Sequence, residues 1–304
     1  MYKYYTNISI DDSIENTRPL CFQIILKDNI YFEIGECYFT IKKNHDHNYI
    51  ISDEISIYCF LAKDDIKKAT EKISRALDFF IYLTGLPFYT EFTIFQTNSN
   101  TIPIVDVNKS PQKIAKLKIY NKSFNKVNKK RPLLDNMLHL YSSAIKFHYL
   151  FDIKNCGDAF FIFFKILENI SIDDFSINYK SKNKRNLISI NSINKILYKH
   201  YKIKIPAIKA TELSSFLSNQ LFEKVSNEIF YKILLFFSHY KIDVDTVLIS
   251  QIVTIRNKIA HGDSIQFEDY QKEYSYLQKL CNKAISLKFF SGLDPKLNSR
   301  IKVI

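Results

Sequence analysis

The segment DTVLISQIVTIRNKIAHG, residues Asp245–Gly262, carries the clearest structural signal in this 304-residue sequence. Its apolar residues recur at three- and four-residue spacing, which is typical of an amphipathic helix. That stripe consists of Leu248, Ile252, Ile255 and Ile259. Thr246 is a suitable N-cap, and Gly262 is a suitable residue to end a helix. We therefore predict a helix from Thr246 to His261 with polar residues in its last turns.

The polar cluster at the end of this helix consists of Arg256, Asn257 and His261. At about 100° per residue, Asn257 and His261 lie on one face and Arg256 projects beside them. An imidazole exchanges protons near neutral pH, and a guanidinium binds two non-bridging phosphate oxygens. Together they suit metal-independent RNA cleavage, in which the 2′-hydroxyl attacks the adjacent phosphorus. Glu168 is expected to pair with Arg256, because burial of a lone carboxylate is costly.

Helical spacing continues through the sequence that follows Pro132. Further helices are predicted at Leu133–Phe151, Asp158–Ile170, Leu187–His200, Glu212–Tyr240 with a break near its middle, and Phe267–Phe289. Amphipathic helices of this length bury their apolar faces by packing as an all-α bundle.

The first third of the chain has the pattern of an α+β domain. Short runs rich in Phe, Ile and Tyr predict strands at Cys21–Leu26, Ile30–Ile34, Cys37–Ile41, Ile55–Leu61, Phe92–Phe95 and Ile102–Val105. A helix begins at the capping pair Asp64 and Asp65 and ends at Gly85 and Pro87. The predicted fold class is an α+β N-terminal domain at 1–106, a basic linker at 107–131 and an all-α domain at 132–304, mainly α overall.

Charge divides the chain unevenly. Residues 1–106 contain 10 Lys and Arg against 15 Asp and Glu, whereas residues 107–304 contain 33 against 16. The stretches 107–132 and 175–211 each carry nine basic residues and no acid. Such surfaces attract polyanions, because binding releases their condensed counterions. The predicted RNA-binding residues are Lys180, Lys182, Lys184, Arg185 and Lys258.

Composition argues against several classes of protein. Only five glycines in 304 residues disfavour turn-rich β architectures and glycine-cradled nucleotide sites. No apolar run approaches the ~18 residues of a membrane span, and the first residues do not read as a secretory signal. Five cysteines without a CxxC pair fit a reducing compartment. We expect a soluble, cytoplasmic protein that needs no metal or other cofactor.

The helix end resembles the motif of the HEPN superfamily, in which an Arg, a polar residue and three to five further residues precede a His. Arg256, Asn257 and His261 match that motif, and the Ile-Ala before the histidine and the Gly after it are similar to the Apea-like branch. The aromatic segment Ala159–Glu168 is similar to a helix of that branch that ends in Leu-Glu. The resemblance covers about residues 132–290.

This resemblance implies an endoribonuclease that cleaves tRNA or mRNA with Arg256, Asn257 and His261 as its catalytic residues. It implies a homodimer with a composite active site, because one Arg/His pair supplies a base and a clamp but no separate acid. It also implies a role as a toxin or antiphage-defence effector, with an antitoxin or other regulatory partner.

Two other functions remain open. A catalytically inactive HEPN module that binds RNA or dimerises would use Arg256 and Asn257 for structure and His261 as an ordinary helix-end residue. A metal-dependent nuclease would use His45 and His47, or the D-x-K fragment at Asp65, although a solvated turn and a helix cap explain those residues more simply.

Overall fold

The structure is a computed structural model. It describes residues 2–10, 30–41, 55–85, 87–90, 94–98, 121–127, 131–150, 156–180, 209, 211–213, 215–217 and 227–293. The predicted helix at Leu187–His200 and the predicted strands at Cys21–Leu26 and Ile102–Val105 lie outside the described residues, as does most of the first half of Glu212–Tyr240.

The described strands of the first hundred residues form an antiparallel sheet. Its six strands are β1 (Tyr2–Ile10), β2 (Ile30–Ile34), β3 (Cys37–Ile41), β4 (Ile55–Leu61), β5 (Phe88–Thr90) and β6 (Phe95–Asn98). The strand order is β2-β3-β4-β1-β5, and β6 also pairs with β1. Three strands, β2, β3 and β4, have the bounds that the sequence predicts. Together with the helices below, the sheet confirms a mainly helical chain that begins with an antiparallel β region.

Strand β1 is central to the sheet. It pairs with β4 from Tyr2↔Leu61 to Ile8↔Ile55, and its other edge pairs with β5 and β6. The side chains of Tyr4, Thr6 and Ile8 are buried in alternation, as expected for a strand with one covered face. The strand predicted at Phe92–Phe95 begins instead at Phe95, the residue paired with Tyr5 of β1.

The helix predicted after the sheet strands is α1 (Ile66–Thr84). Asp65 caps it, because its Oδ1 accepts a hydrogen bond from the Lys68 backbone N–H at 2.9 Å. Gly85 ends it in the left-handed region at φ 72°, where its N–H donates to the Ile81 carbonyl at 2.7 Å. The buried Phe80 side chain of α1 packs against Phe39 of β3, with ring centroids 5.1 Å apart. The hydrogen bond from Lys68 shows that Asp65, the first residue of the D-x-K fragment, acts as a helix cap.

After α1, the described part of the chain contains five further helices of 11 or more residues. They are α2 (Arg131–Leu150), α3 (Cys156–Phe175), α4 (Ile229–His239), α5 (Thr246–Ala260) and α6 (Gln271–Phe289). A short helical stretch at 121–126 precedes α2, and a π-helical turn, Ser176–Lys180, follows α3. None of the described helices is long and apolar enough to cross a membrane.

The ends of three helices differ from the sequence prediction for local reasons. Helix α2 begins two residues early, because Pro132 is tolerated in a first turn, where its missing N–H is not needed. Helix α3 continues past Ile170 to Phe175 and buries Asp174. Helix α6 begins at Gln271, because Tyr270 leaves the helical region at φ −135° after a single 3-10 turn.

The described residues cluster into two compact units. The first comprises Met1–Ile166, Ile265–Gln271 and Leu277–Ile304, and the second comprises Leu167–Ser264 and Lys272–Tyr276. The boundaries predicted at 106 and 131 stay predictions, because residues 99–120 lie outside the described part of the chain.

Aromatic side chains form much of the core of the first unit. Phe79 of α1 stacks on Phe124 with ring centroids 4.3 Å apart, and Tyr82 meets Tyr141 of α2 edge to face at 5.3 Å. All four side chains are at most 1% exposed. Such aromatic pairs add about 0.5–1.5 kcal/mol beyond the area that they bury. The Tyr82–Tyr141 pair therefore strengthens the packing of α1 on α2, and the Phe79–Phe124 pair strengthens the packing of α1 on the stretch 121–126.

The α1–α2 contact also contains a titratable pair. The carboxylate Oδ2 of Asp78 lies 3.2 Å from Nδ1 of His139, and this hydrogen bond raises the pKa of the histidine above its usual 6.5. Burial of the imidazole and the charge of Lys146 oppose the rise. Because folding raises the pKa of His139, the pair stabilises the folded state fully below the unfolded pKa of about 6.5. This stabilisation is lost as the pH rises through the pKa of His139 in the folded state.

We expect Asp78→Asn to reduce the free energy of unfolding more at pH 5.5 than at pH 8.5. The difference should stay below about 1 kcal/mol, because the His139 side chain is 66% exposed and water screens the pair. Urea unfolding at the two pH values measures it. Asp78 and His139 line a surface cleft together with Glu71, so Glu71→Gln is the control and should show no such pH dependence. Equal losses at both pH values for Asp78→Asn would contradict the assignment.

Candidate active site

Helix α5 is fixed at its start by a side-chain cap. Oδ1 of Asp245 accepts hydrogen bonds from the backbone N–H groups of Val247 and Leu248 at 3.0 and 3.1 Å. The N-cap is therefore Asp245, and the prediction that Thr246 caps the helix is wrong. Both residue types cap helices, and the carboxylate here binds two of the otherwise unpaired amides.

The predicted apolar stripe of α5 is only partly buried. Leu248 and Ile252 are buried together with Ile249, which the stripe did not include. Ile255 and Ile259 are only half-buried. The helix therefore packs its first two turns most tightly and leaves its last two turns closer to the surface.

The end of α5 is closed by a Schellman motif. Gly262 adopts φ 80°, and its N–H donates to the Ile259 carbonyl at 3.0 Å. The Asp263 N–H donates to the Lys258 backbone carbonyl, also at 3.0 Å. His261 is the C-cap, and its N–H donates to the Asn257 carbonyl at 3.0 Å. These backbone bonds fix the position from which the exposed His261 side chain projects.

Arg256 is held between two side chains of the second unit. Its Nη2 lies 3.8 Å from Oε1 of Glu168 on α3, and its Nη1 donates to Oδ1 of Asn257 at 3.1 Å. The arginine side chain is 29% exposed and the glutamate 14%. The ion pair expected from the sequence is thus present, and it leaves part of the guanidinium at the surface.

The motif residues consequently form one surface at the end of α5. Asn257, Lys258 and His261 are exposed, and Arg256 is half-buried beside them. Asn257 and Arg256 are in direct contact. An exposed imidazole beside an anchored cation can exchange a proton with a bound molecule and bind an anion.

The predicted RNA-binding residues are described only in part. Lys258 is exposed on α5, and Lys180 ends the π-helical turn after α3. Lys182, Lys184 and Arg185 lie outside the described residues, as do His45 and His47. Among the residues that the structure describes, no group of three or more His, Cys, Asp and Glu side chains could hold a metal ion.

A second histidine site in this unit is not signalled by any sequence motif. Nδ1 of His239, in the last turn of α4, lies 3.2 Å from Oδ2 of the buried Asp174, whose Oδ1 accepts from Asn178 at 2.9 Å. Burial raises the pKa of the neighbouring Tyr240, and the charge of Asp174 adds to the rise. The partners are more than 60 residues apart in sequence, so local spacing could not have revealed them.

A groove of about 510 Å³ lies along the first turns of α5. Its lining residues are Phe230 of α4, Thr246, Val247, Ser250, Gln251, Thr254 and Ile255 of α5, and Glu273 of α6. Sequence analysis does not identify this groove, because its shape depends on how three consecutive helices pack together.

No protein-family model, curated protein or solved structure matches this chain.

We expect Glu168 and Arg256 to be energetically coupled. Replacing either with Gln removes the ion pair, so Glu168→Gln, Arg256→Gln and the double variant form a cycle that isolates the interaction from the other contacts of each side chain. The coupling free energy should be about 0.5–1 kcal/mol, because the pair is partly exposed and screened by water. Urea unfolding measures it, and the coupling should weaken in 1 M salt.

Pairing Arg256→Gln with Glu268→Gln provides the control cycle, because Glu268 is an exposed glutamate outside the second unit. That cycle should give a coupling near zero. Additive losses in the Glu168 cycle would show that the observed proximity contributes nothing to stability.

Proposed function

We propose that this protein is a metal-independent endoribonuclease. The observation that carries the proposal is the orientation of the Arg256 guanidinium by Glu168 and Asn257, less than two helical turns before the exposed His261. A cation fixed at the surface can bind a phosphate without first being ordered, so less conformational entropy is lost on binding.

In the proposed reaction His261 removes the proton from a ribose 2′-hydroxyl. The 2′-oxygen then bonds to the adjacent phosphorus, and the bond from phosphorus to the 5′-oxygen breaks. Arg256 neutralises the charge that builds on the non-bridging oxygens, and Asn257 orients the guanidinium. The products are a 2′,3′-cyclic phosphate and a 5′-hydroxyl, so RNA supplies its own nucleophile.

The leaving 5′-oxygen needs a proton, and one copy of the motif supplies a single imidazole. We therefore propose a homodimer in which the imidazolium of a second copy acts as the acid. Cleavage of tRNA or mRNA as a toxin or antiphage-defence effector, restrained by an antitoxin or another regulatory partner, belongs to the same proposal and is supported by the motif resemblance. The basic composition of residues 107–304 favours a polyanionic substrate.

We expect His261→Ala and Arg256→Ala each to lower the rate of RNA cleavage by at least about 100-fold while the chain stays folded. The assay is incubation of labelled single-stranded RNA with excess EDTA, followed by detection of 2′,3′-cyclic phosphate ends. His139→Ala is the matched control, because His139 is an exposed histidine of the first unit, and it should cleave like the unaltered protein.

Two results would select another function. Cleavage that EDTA abolishes and His261→Ala leaves intact identifies a metal-dependent nuclease. Salt-sensitive binding of RNA that stays whole identifies the catalytically inactive RNA-binding module.

A further inference from the structure

The groove beside α5 is lined by Phe230, six residues of α5 and Glu273, and hydrogen bonds tie its helices together. Oη of Tyr276 on α6 accepts a hydrogen bond from the Asp245 backbone N–H at 2.8 Å, which ties α6 to the start of α5. The turn between α4 and α5 is tight, because the Ile242 N–H donates to the Phe237 carbonyl at 2.9 Å. The lining residues from α4, α5 and α6 all belong to the second unit.

The groove and two residues of the candidate active site, Asn257 and His261, share one face of α5, whereas Arg256 projects at least about 100° away around the helix, towards Glu168. Val247, Ser250 and Thr254 line the groove, and the same three- and four-residue steps lead on to Asn257 and His261. At 1.5 Å per residue, Thr254 and His261 are about 10 Å apart along the helix axis. A short single-stranded segment can span that distance with its backbone at His261 and a base in the groove.

The lining of the groove suits a base better than a phosphate. Phe230, Val247 and Ile255 give it an apolar surface, and Val247 is 65% exposed. Glu273 places a carboxylate at the groove, and this charge repels phosphate. Apolar walls with a few polar groups are typical of sites that bind flat ring systems.

The polar groups favour one base in particular. A carboxylate only accepts hydrogen bonds, and guanine presents two adjacent donors, N1–H and the 2-amino group, on its Watson–Crick edge. The Gln251 amide can donate to the neighbouring O6 of guanine. Uracil instead presents two carbonyl oxygens on either side of its single N–H, and both would face the Glu273 carboxylate unfavourably.

We infer that this groove binds an unpaired guanine of the RNA substrate near the bond that is cleaved. The inference rests on the proposed function for its substrate and adds a specificity site, with Glu273 and Gln251 as the residues that read the base.

Cleavage-site sequencing of a randomised single-stranded RNA pool tests this inference. The unaltered protein should enrich guanine at one fixed position relative to the cut. Glu273→Gln and Gln251→Ala should each reduce that enrichment by about fivefold or more, because each removes a hydrogen bond to the base edge. Glu268→Gln makes the same chemical change at an exposed residue outside the groove and should preserve the enrichment. Circular dichroism checks that each variant is folded.

A binding experiment separates this inference from the proposed function. In the background of His261→Ala, fluorescence anisotropy compares the five-nucleotide RNAs UUGUU and UUUUU. We expect the guanine-containing RNA to bind about fivefold or more tightly, and Glu273→Gln to remove the difference. If no RNA is cleaved but this difference is observed, the groove site stands and the nuclease proposal fails. Equal affinities, or cleavage without guanine enrichment, would overturn the guanine site while leaving the nuclease proposal intact.

Discussion

The ion pair between Glu168 of α3 and Arg256 of α5 is the constraint on which the candidate site depends. A half-buried guanidinium needs a nearby anion, because transfer of an unpaired charge out of water is costly. Glu168, which is itself 14% exposed, provides that anion at 3.8 Å. The pair links the last turns of α5 to α3, while the buried Leu248, Ile249 and Ile252 anchor its first turns. Asn257, Lys258 and His261 remain exposed.

The end of α5 adds a second, local constraint. Gly262 adopts a left-handed conformation that most other residues reach only with strain, and the Schellman bonds that it permits satisfy the last carbonyls of the helix. His261 is therefore the C-cap of the helix, and hydrogen bonds on both sides of it hold its backbone. An imidazole attached to a well-defined backbone, with its side chain exposed, is suited to proton transfer with a bound molecule.

Local signals in the sequence were enough for much of the fold. The bounds of β2, β3 and β4, the Asp65 cap and the end of α1 at Gly85 were predictable, because each depends on a few neighbouring residues. The Glu168–Arg256 pair was predictable because charge pairing restricts what a half-buried glutamate can do. Central strand β1 could have been recognised from the alternation of Tyr4, Thr6 and Ile8. The groove depends instead on how three consecutive helices pack, and the Asp174–His239 contact joins segments 65 residues apart. The choice of Asp245 over Thr246 as the cap lies within the one-residue uncertainty of any helix start.

Helix α5 places two different surfaces on one rigid element. Its first turns line a groove with apolar walls and the Glu273 carboxylate nearby, and its last turns carry Arg256 and His261. These surfaces differ in charge, so a single-stranded RNA would place its base in the first and its phosphate at the second, and not the reverse. In the proposed complex the distance between the bound base and the reacting phosphate would be fixed, because the helix does not stretch. In such an arrangement recognition of the base also determines which bond is cleaved, and selectivity requires no movement of the protein.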